Sequence, residues 1–165
     1  MIDLILAVLL DFSLAFFVAC CWGILFGTPF KALWMVGLLG GFGHALRFVL
    51  LDFEVGLIAS TFVASIVVGL SGIAGAHKVH TPPVVLTMPA CITMIPGLYA
   101  YRTMLALIKL SDKSILDHQT DIIPNIAHNA VLTFSLLIAL AVGISVSAIF
   151  FRNKSAKDIR WSKLI

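Results

Sequence analysis

The stretch that decides the fold is PPVVLTMPACITMIPGLYAYR, residues 82–102. It is almost wholly apolar, as is typical of a membrane helix, but prolines stand at positions 82, 83, 89 and 96, and Gly97 follows the last of them. Proline lacks the amide hydrogen that a helix interior needs and clashes with the preceding turn, at roughly 3 kcal/mol per site. The stretch therefore predicts a membrane segment whose helix is broken at Pro96-Gly97.

The composition places this stretch in an integral membrane protein. Of the 165 residues, 61% are hydrophobic and 12% are charged, whereas soluble domains are roughly half apolar and a quarter charged. Apolar runs of about 20 residues, enough to cross roughly 30 Å of hydrocarbon, recur along the chain. We predict an all-α protein with one transmembrane domain over residues 1–151 and a basic cytoplasmic tail over 152–165. The five predicted transmembrane segments are 4–26, 32–51, 55–76, 83–110 and 124–151.

Several classes of protein do not fit this chain. The first apolar run lacks a basic start and exceeds a signal core in length, so we interpret it as a retained span. The basic residues after position 151 indicate a membrane-surface tail rather than a nucleic-acid site. The cysteines show neither disulfide nor metal spacing, and no nucleotide-binding loop is present. We predict no cofactor, no metal and no enzymatic activity, with an intramembrane enzyme using His44 or His128 as a weaker hypothesis.

The distribution of Lys and Arg residues predicts the orientation. With five spans and a cytoplasmic tail, more basic residues fall inside than outside, which favours an outer N-terminus. If the fourth segment instead enters the membrane and returns to its own side, the excess of basic residues on the inner side becomes smaller. The sequence leaves both topologies open.

The break is the most informative feature. The two halves of the fourth segment, 83–95 and 98–110, are each about 20 Å long as helices, so neither crosses a bilayer alone. Irregular backbone at membrane depth is tolerated only where protein buries it or where it lines a water-filled cavity. Broken helices in secondary transporters direct their backbone ends at substrate, and the free amides of the second half suit an anion. A plain structural kink is the alternative.

Polar side chains inside the predicted spans are candidate site residues, because burying them in lipid is costly. Asp11 lies about 10 Å into the first span and needs a partner or a proton, in a tethering, proton-coupling or substrate role. His44 and Arg47 are spaced i, i+3, and Glu54 is expected further along the same helix face. Arg47 alternatively extends to the headgroups.

Further candidates follow the break. Tyr99, Arg102 and Lys109 belong to a cationic stripe at helical spacing, which leads from mid-membrane to the outer surface. Asn125 and His128 add hydrogen-bonding groups, one turn apart, at the start of the last segment.

Four stretches carry a family resemblance: PACITMIPGLYAYR, GTPFKALW, GFGHALRF and ASTFVASIVVG. They resemble the threonine/serine exporter family, and specifically its small half-size subunits, which are similar to the inner-membrane component of a two-protein succinate exporter of bacteria. The resemblance covers nearly the whole chain, although Arg102 is not part of the family pattern. The candidate substrate-binding or gating residues from both lines of reasoning are Asp11, His44, Arg47, Pro89, Pro96, Gly97, Tyr101, Arg102, Asn125 and His128.

The resemblance implies a multi-pass protein of the bacterial inner membrane that exports a small carboxylate or amino acid, such as succinate, threonine or serine. It also implies a larger membrane partner subunit. Five spans are about half of what repeat-built transporters use, which independently favours a partner, and a homo-oligomer is a further expectation. The alternative hypothesis is a structural or assembly subunit that does not contact substrate.

Overall fold

The computed structural model describes residues 2–111 and 122–155, and every regular element in that part of the chain is an α-helix. The helices are α1 (Ile2–Leu25), α2 (Phe30–Asp52), α3 (Leu57–Val79), α4 (Pro83–Ile92), α5 (Gly97–Leu110) and α6 (Ile122–Ser155). Of these, α1, α2, α3 and α6 are long and apolar enough to cross a membrane, and the bent pair of α4 and α5 adds a fifth span if counted as one. The prediction of an all-α membrane protein is confirmed.

The predicted helix break is present, but it is wider than expected. α4 ends at Ile92 rather than at residue 95, and α5 begins at Gly97, so residues 93–96 separate two helices bent by 56°. Pro124 lies in the first turn of α6, where its missing amide hydrogen removes no helical bond. Most of the predicted loop before α6 and of the basic tail lies outside the described residues.

Each of the first three helices is followed by a residue whose backbone is in the left-handed conformation. These residues are Gly27, Glu54 and His80, with φ of 69°, 60° and 53°. After α1 the Thr28 amide donates to the Gly23 carbonyl at 2.9 Å, the 6→1 bond of a Schellman motif. The same bond follows the other two helices. These ends explain how short connections reverse the chain.

The prediction that Glu54 continues the helix face of His44 and Arg47 is wrong. α2 ends at Asp52, and Glu54 occupies the left-handed position of the motif, where the Val55 amide donates to the Leu50 carbonyl at 3.0 Å. This turn rotates the backbone away from the helical path, so Glu54 is exposed beyond the helix end.

The core lies where α2 contacts α1, α3 and α4. α2 approaches α1 closely at Gly37 and Gly41. A Cβ at Gly37 would stand 2.6 Å from the Phe16 ring, and one at Gly41 would stand 2.9 Å from the Phe12 carbonyl oxygen. Small residues at one helix face allow such approach in membranes. The largest fully buried core side chains include Val36, Val68, Leu86, Met94 and Leu136.

α5 is the exception to this packing. It has no buried residue, and its main neighbour is α6. The helix that follows the break is therefore the least enclosed in the described part of the chain.

Candidate functional site

The break between α4 and α5 is a compact turn rather than an open loop. Pro96 has φ −77° and ψ 57°, and across it the Gly97 amide donates to the Ile95 carbonyl at 2.8 Å. These values describe an inverse γ-turn. The Met94 amide donates to the Cys91 carbonyl at 3.0 Å, which tightens the end of α4. Proline at position 96 thus ends the helix and sets the turn that redirects it.

Pro89 has a different part in the fold. It is buried inside α4 and has no amide hydrogen to offer the Val85 carbonyl one turn earlier. The Thr28 hydroxyl donates to that carbonyl at 3.4 Å instead. Pro89 thereby ties α4 to the turn between α1 and α2, and the structure gives it a packing role in the helix that carries the break.

Arg47 links α2 to the break. Its guanidinium Nη1 donates to the Met94 carbonyl at 3.2 Å, a backbone oxygen just before the turn at Pro96. Tyr99 and Asp11 are close enough to Arg47 to interact with it electrostatically. The Arg47 side chain on α2 thus lies beside the end of α4 and the start of α5.

Asp11 and His44 form an ion-pair contact between α1 and α2. His44 Nδ1 and Asp11 Oδ2 are 2.7 Å apart, and the two side chains are 30% and 21% exposed. An ionised carboxylate only accepts hydrogen bonds, so the Nδ1–H of His44 donates when Asp11 is charged. Asp11 therefore has the partner that its position in the first span requires.

Asp11 contacts His44 and interacts electrostatically with Arg47. We name these three residues the Asp11–His44–Arg47 cluster. Buried or half-buried charge is tolerated in a membrane protein when it is paired or hydrogen-bonded. The cluster meets this condition with one carboxylate, one imidazole and one guanidinium at the break, a set that can bind a small ionic molecule or exchange a proton. The sequence pairs His44 with Arg47 and gives Asp11 separately, and the structure brings all three together.

Other candidates lie apart from the cluster. Tyr101 and Arg102 are exposed on α5, and Asn125 and His128 are exposed on α6. The Asn125 carbonyl accepts a hydrogen bond from Asn129 Nδ2 at 2.7 Å within α6. Among the described residues, no side-chain hydrogen bond connects these four positions to the cluster.

Gly97 begins α5 without a backbone conformation that requires glycine. Its φ is not in the left-handed range, and a Cβ built there would meet no atom within 4 Å. The turn therefore depends on Pro96 and not on a conformational freedom peculiar to Gly97.

Sequence reasoning did not single out the Met94 carbonyl or Tyr99 as neighbours of Arg47. A backbone acceptor gives no side-chain signal, although a helix that ends before Pro96 leaves its last carbonyls without helical partners. The sequence pattern places Tyr99 only in the cationic stripe, whereas its position in the first turn of α5 brings it to the break.

Within residues 2–111 and 122–155, no three His, Cys, Asp or Glu side chains converge as a metal site would require. His77 is exposed at the end of α3, and His80 is exposed in the turn after it.

The helices define a multi-pass membrane protein, and a broken helix with charged residues at the break is typical of secondary transporters. A comparison with protein families agrees with this class. The family model described as Threonine/Serine exporter, ThrE, matches residues 11–150, which is most of the chain. The chain therefore belongs to the threonine/serine exporter family of membrane transporters, as the resemblance implied, and this membership indicates a transporter rather than an enzyme. No solved structure matches the chain.

Proposed function

We propose that this chain is the membrane subunit of a two-component secondary exporter of small carboxylates or amino acids. The observation that carries the proposal is the hydrogen bond from Arg47 to the Met94 carbonyl at the α4–α5 break, beside the Asp11–His44 pair. Charged groups and a broken helix at one place suit a site that binds a small ionic substrate and changes shape around it.

The charges of the cluster favour one class of substrate. Arg47 is a cation and Asp11 an anion, so a neutral His44 leaves the cluster without net charge. An amino acid such as threonine or serine offers a carboxylate to Arg47 and an ammonium group to Asp11. Succinate brings two carboxylates, the second of which would need a protonated His44 while Asp11 repels it. The charge balance thus supports an amino acid before a dicarboxylate.

The Asp11–His44 pair is the proposed site of proton coupling. An imidazole and a carboxylate in hydrogen-bond contact can exchange a proton, and both side chains keep partial access to the surroundings at 30% and 21% exposure. A proton gained here changes the charge next to Arg47 and hence the affinity of the site for an anion.

Two features support a larger partner subunit. The described chain has half the number of spans expected of repeat-built transporters. α5 has no buried residue, and Arg102 on it is an exposed charge within a few turns of the break. A charge on a membrane helix normally faces protein or water rather than lipid, so α5 suits a surface covered by another subunit.

The bend at the break supports a complete crossing by the fourth segment. α4 is about 15 Å long and α5 about 21 Å at helical rise. With a bend of 56°, α5 continues in the same general direction as α4, whereas a re-entrant hairpin requires a near reversal. Five crossings would leave the two termini on opposite sides of the membrane. The basic residues after position 151 support a cytoplasmic C-terminus and an outer N-terminus, and the family resemblance supports the inner membrane of a bacterium.

Reconstitution tests the proposal. The chain, its co-purifying partner, and the complex of both are placed separately in proteoliposomes loaded with labelled threonine, serine or succinate. We expect efflux only from the complex, and faster efflux for threonine or serine than for succinate. Efflux from the chain alone would contradict the two-component arrangement, and normal efflux from an assembled Asp11→Asn complex would support an assembly role instead.

A further inference from the structure

We infer that Arg47 binds the carboxylate of the transported molecule by giving up its hydrogen bond to the Met94 carbonyl. Binding of the carboxylate then also frees the break between α4 and α5 from its hydrogen bond to α2. This inference rests on the proposed export function, because it assigns the residue that holds the substrate and the structural change that follows.

The first step concerns the donors of Arg47. A guanidinium group has five N–H donors in a planar fork. The structure uses Nη1 for the Met94 carbonyl at 3.2 Å, while the nearby Asp11 carboxylate is engaged by His44 at 2.7 Å. Arg47 therefore has donors left for a ligand.

The second step compares the two acceptors. The bond to the Met94 carbonyl joins a cation to a neutral oxygen at the long end of the usual 2.7–3.2 Å range. A carboxylate can accept two parallel N–H bonds from the same group and carries the opposite charge, whereas the Met94 carbonyl accepts one bond and is neutral. An arriving carboxylate is accordingly the better partner, and the exchange replaces the weaker bond.

The third step concerns what the bond holds in place. Met94 lies in the break, its side chain is fully buried, and its amide is bonded to the Cys91 carbonyl at 3.0 Å. The local turn at Pro96 shapes the break but does not attach it to α2. The Met94 side chain packs beside Gly43 of α2, and Arg47 adds the hydrogen bond that holds the Met94 backbone to the same helix. Loss of this bond therefore weakens the attachment and makes it easier for the end of α4 to move relative to α2.

Cys91 reports this movement without any engineered label. Its side chain is 3% exposed in the present arrangement, whereas Cys21 on α1 is exposed. The complex of chain and partner is treated with N-ethylmaleimide, and mass spectrometry measures alkylation of each cysteine separately. Cys21 serves as the internal reference for reagent access and for the state of the fold.

The ligands are chosen to isolate the carboxylate. Threonine, serine and succinate are compared with threoninol, which keeps the side chain and amine of threonine but lacks the carboxylate. We expect the best carboxylate ligand to raise the alkylation rate of Cys91 about tenfold, the effect of losing one hydrogen bond to a charged group. Threoninol is expected to leave the rate unchanged.

Variants of Arg47 complete the test. Arg47→Gln is expected to alkylate Cys91 about tenfold faster without ligand and to lose the ligand response. Arg47→Lys keeps the charge without the planar fork, so a reduced ligand response is expected in a folded protein. Lys31→Gln, which removes an exposed cation from the start of the same helix, is expected to match the wild type.

Three results would overturn the inference: no carboxylate-dependent change at Cys91, protection of Cys91 by the ligand, or a full response in Arg47→Lys and Arg47→Gln. Carboxylate-dependent efflux without any Cys91 response would refute this inference and leave the export function standing. A Cys91 response without efflux would refute the export function and leave Arg47 as a carboxylate-binding residue.

Discussion

The contact between Asp11 and His44 predicts a measurable coupling between α1 and α2. In soluble proteins a hydrogen bond to a charged group contributes about 1.5–3 kcal/mol. Measured side-chain couplings in a membrane protein average about 0.6 kcal/mol and reach about 1.7 kcal/mol. The 2.7 Å distance is short, but the two side chains are 30% and 21% exposed, which places the expected coupling at about 1 kcal/mol.

A double-mutant cycle measures this coupling. The variants are Asp11→Ala, His44→Ala and the double variant, and the free energy of unfolding is obtained by titrating detergent micelles with dodecyl sulfate and following circular dichroism. Ser13→Ala replaces His44→Ala in the control cycle, because residues two apart on a helix do not face each other. The control pair should be additive, and additivity of Asp11→Ala with His44→Ala would refute the interaction.

Three further substitutions test the turns that position the site, each by the same unfolding titration. Thr28→Val removes the donor to the Val85 carbonyl and should destabilise the protein by about 1 kcal/mol, whereas Thr28→Ser should not; equal stability of Thr28→Val and Thr28→Ser would contradict the bond. Glu54→Gly relieves a left-handed φ of 60° and should stabilise by about 1 kcal/mol, so a loss of stability would show that the side chain itself is required. Gly97→Ala should be tolerated because the space is open, while Pro96→Ala should lower stability or lengthen α4; similar effects of the two would contradict the dependence of the break on Pro96.

The sequence was sufficient for the helices and for the existence of the break, because both follow from local properties of the chain. Apolar length determines the spans, and proline at position 96 cannot continue a helix. The position of Glu54 was not predictable in this way. Its left-handed conformation depends on how α2 ends against the following turn, and glutamate carries no intrinsic signal for that conformation.

The candidate site was predicted in part for a similar reason. A charged or ionisable side chain in a membrane span is costly unless it has a partner. Asp11, His44 and Arg47 could therefore be chosen from the sequence. Which partner each one finds depends on packing, since Asp11 and His44 lie on different helices and Arg47 reaches a backbone carbonyl far along the chain. Arg102 looked equally suitable by spacing and Tyr101 by the family resemblance, but both are exposed on α5, which has no buried residue.

The central claim is that the break and the Asp11–His44–Arg47 cluster handle the substrate. The most direct test is the rate of labelled threonine efflux from proteoliposomes that contain the assembled complex with Arg47→Gln, compared with the Lys31→Gln complex. The account predicts wild-type efflux for Lys31→Gln and a loss of at least about tenfold for Arg47→Gln, the lower bound for a hydrogen bond to a charged group. Wild-type efflux from a fully assembled Arg47→Gln complex would contradict it.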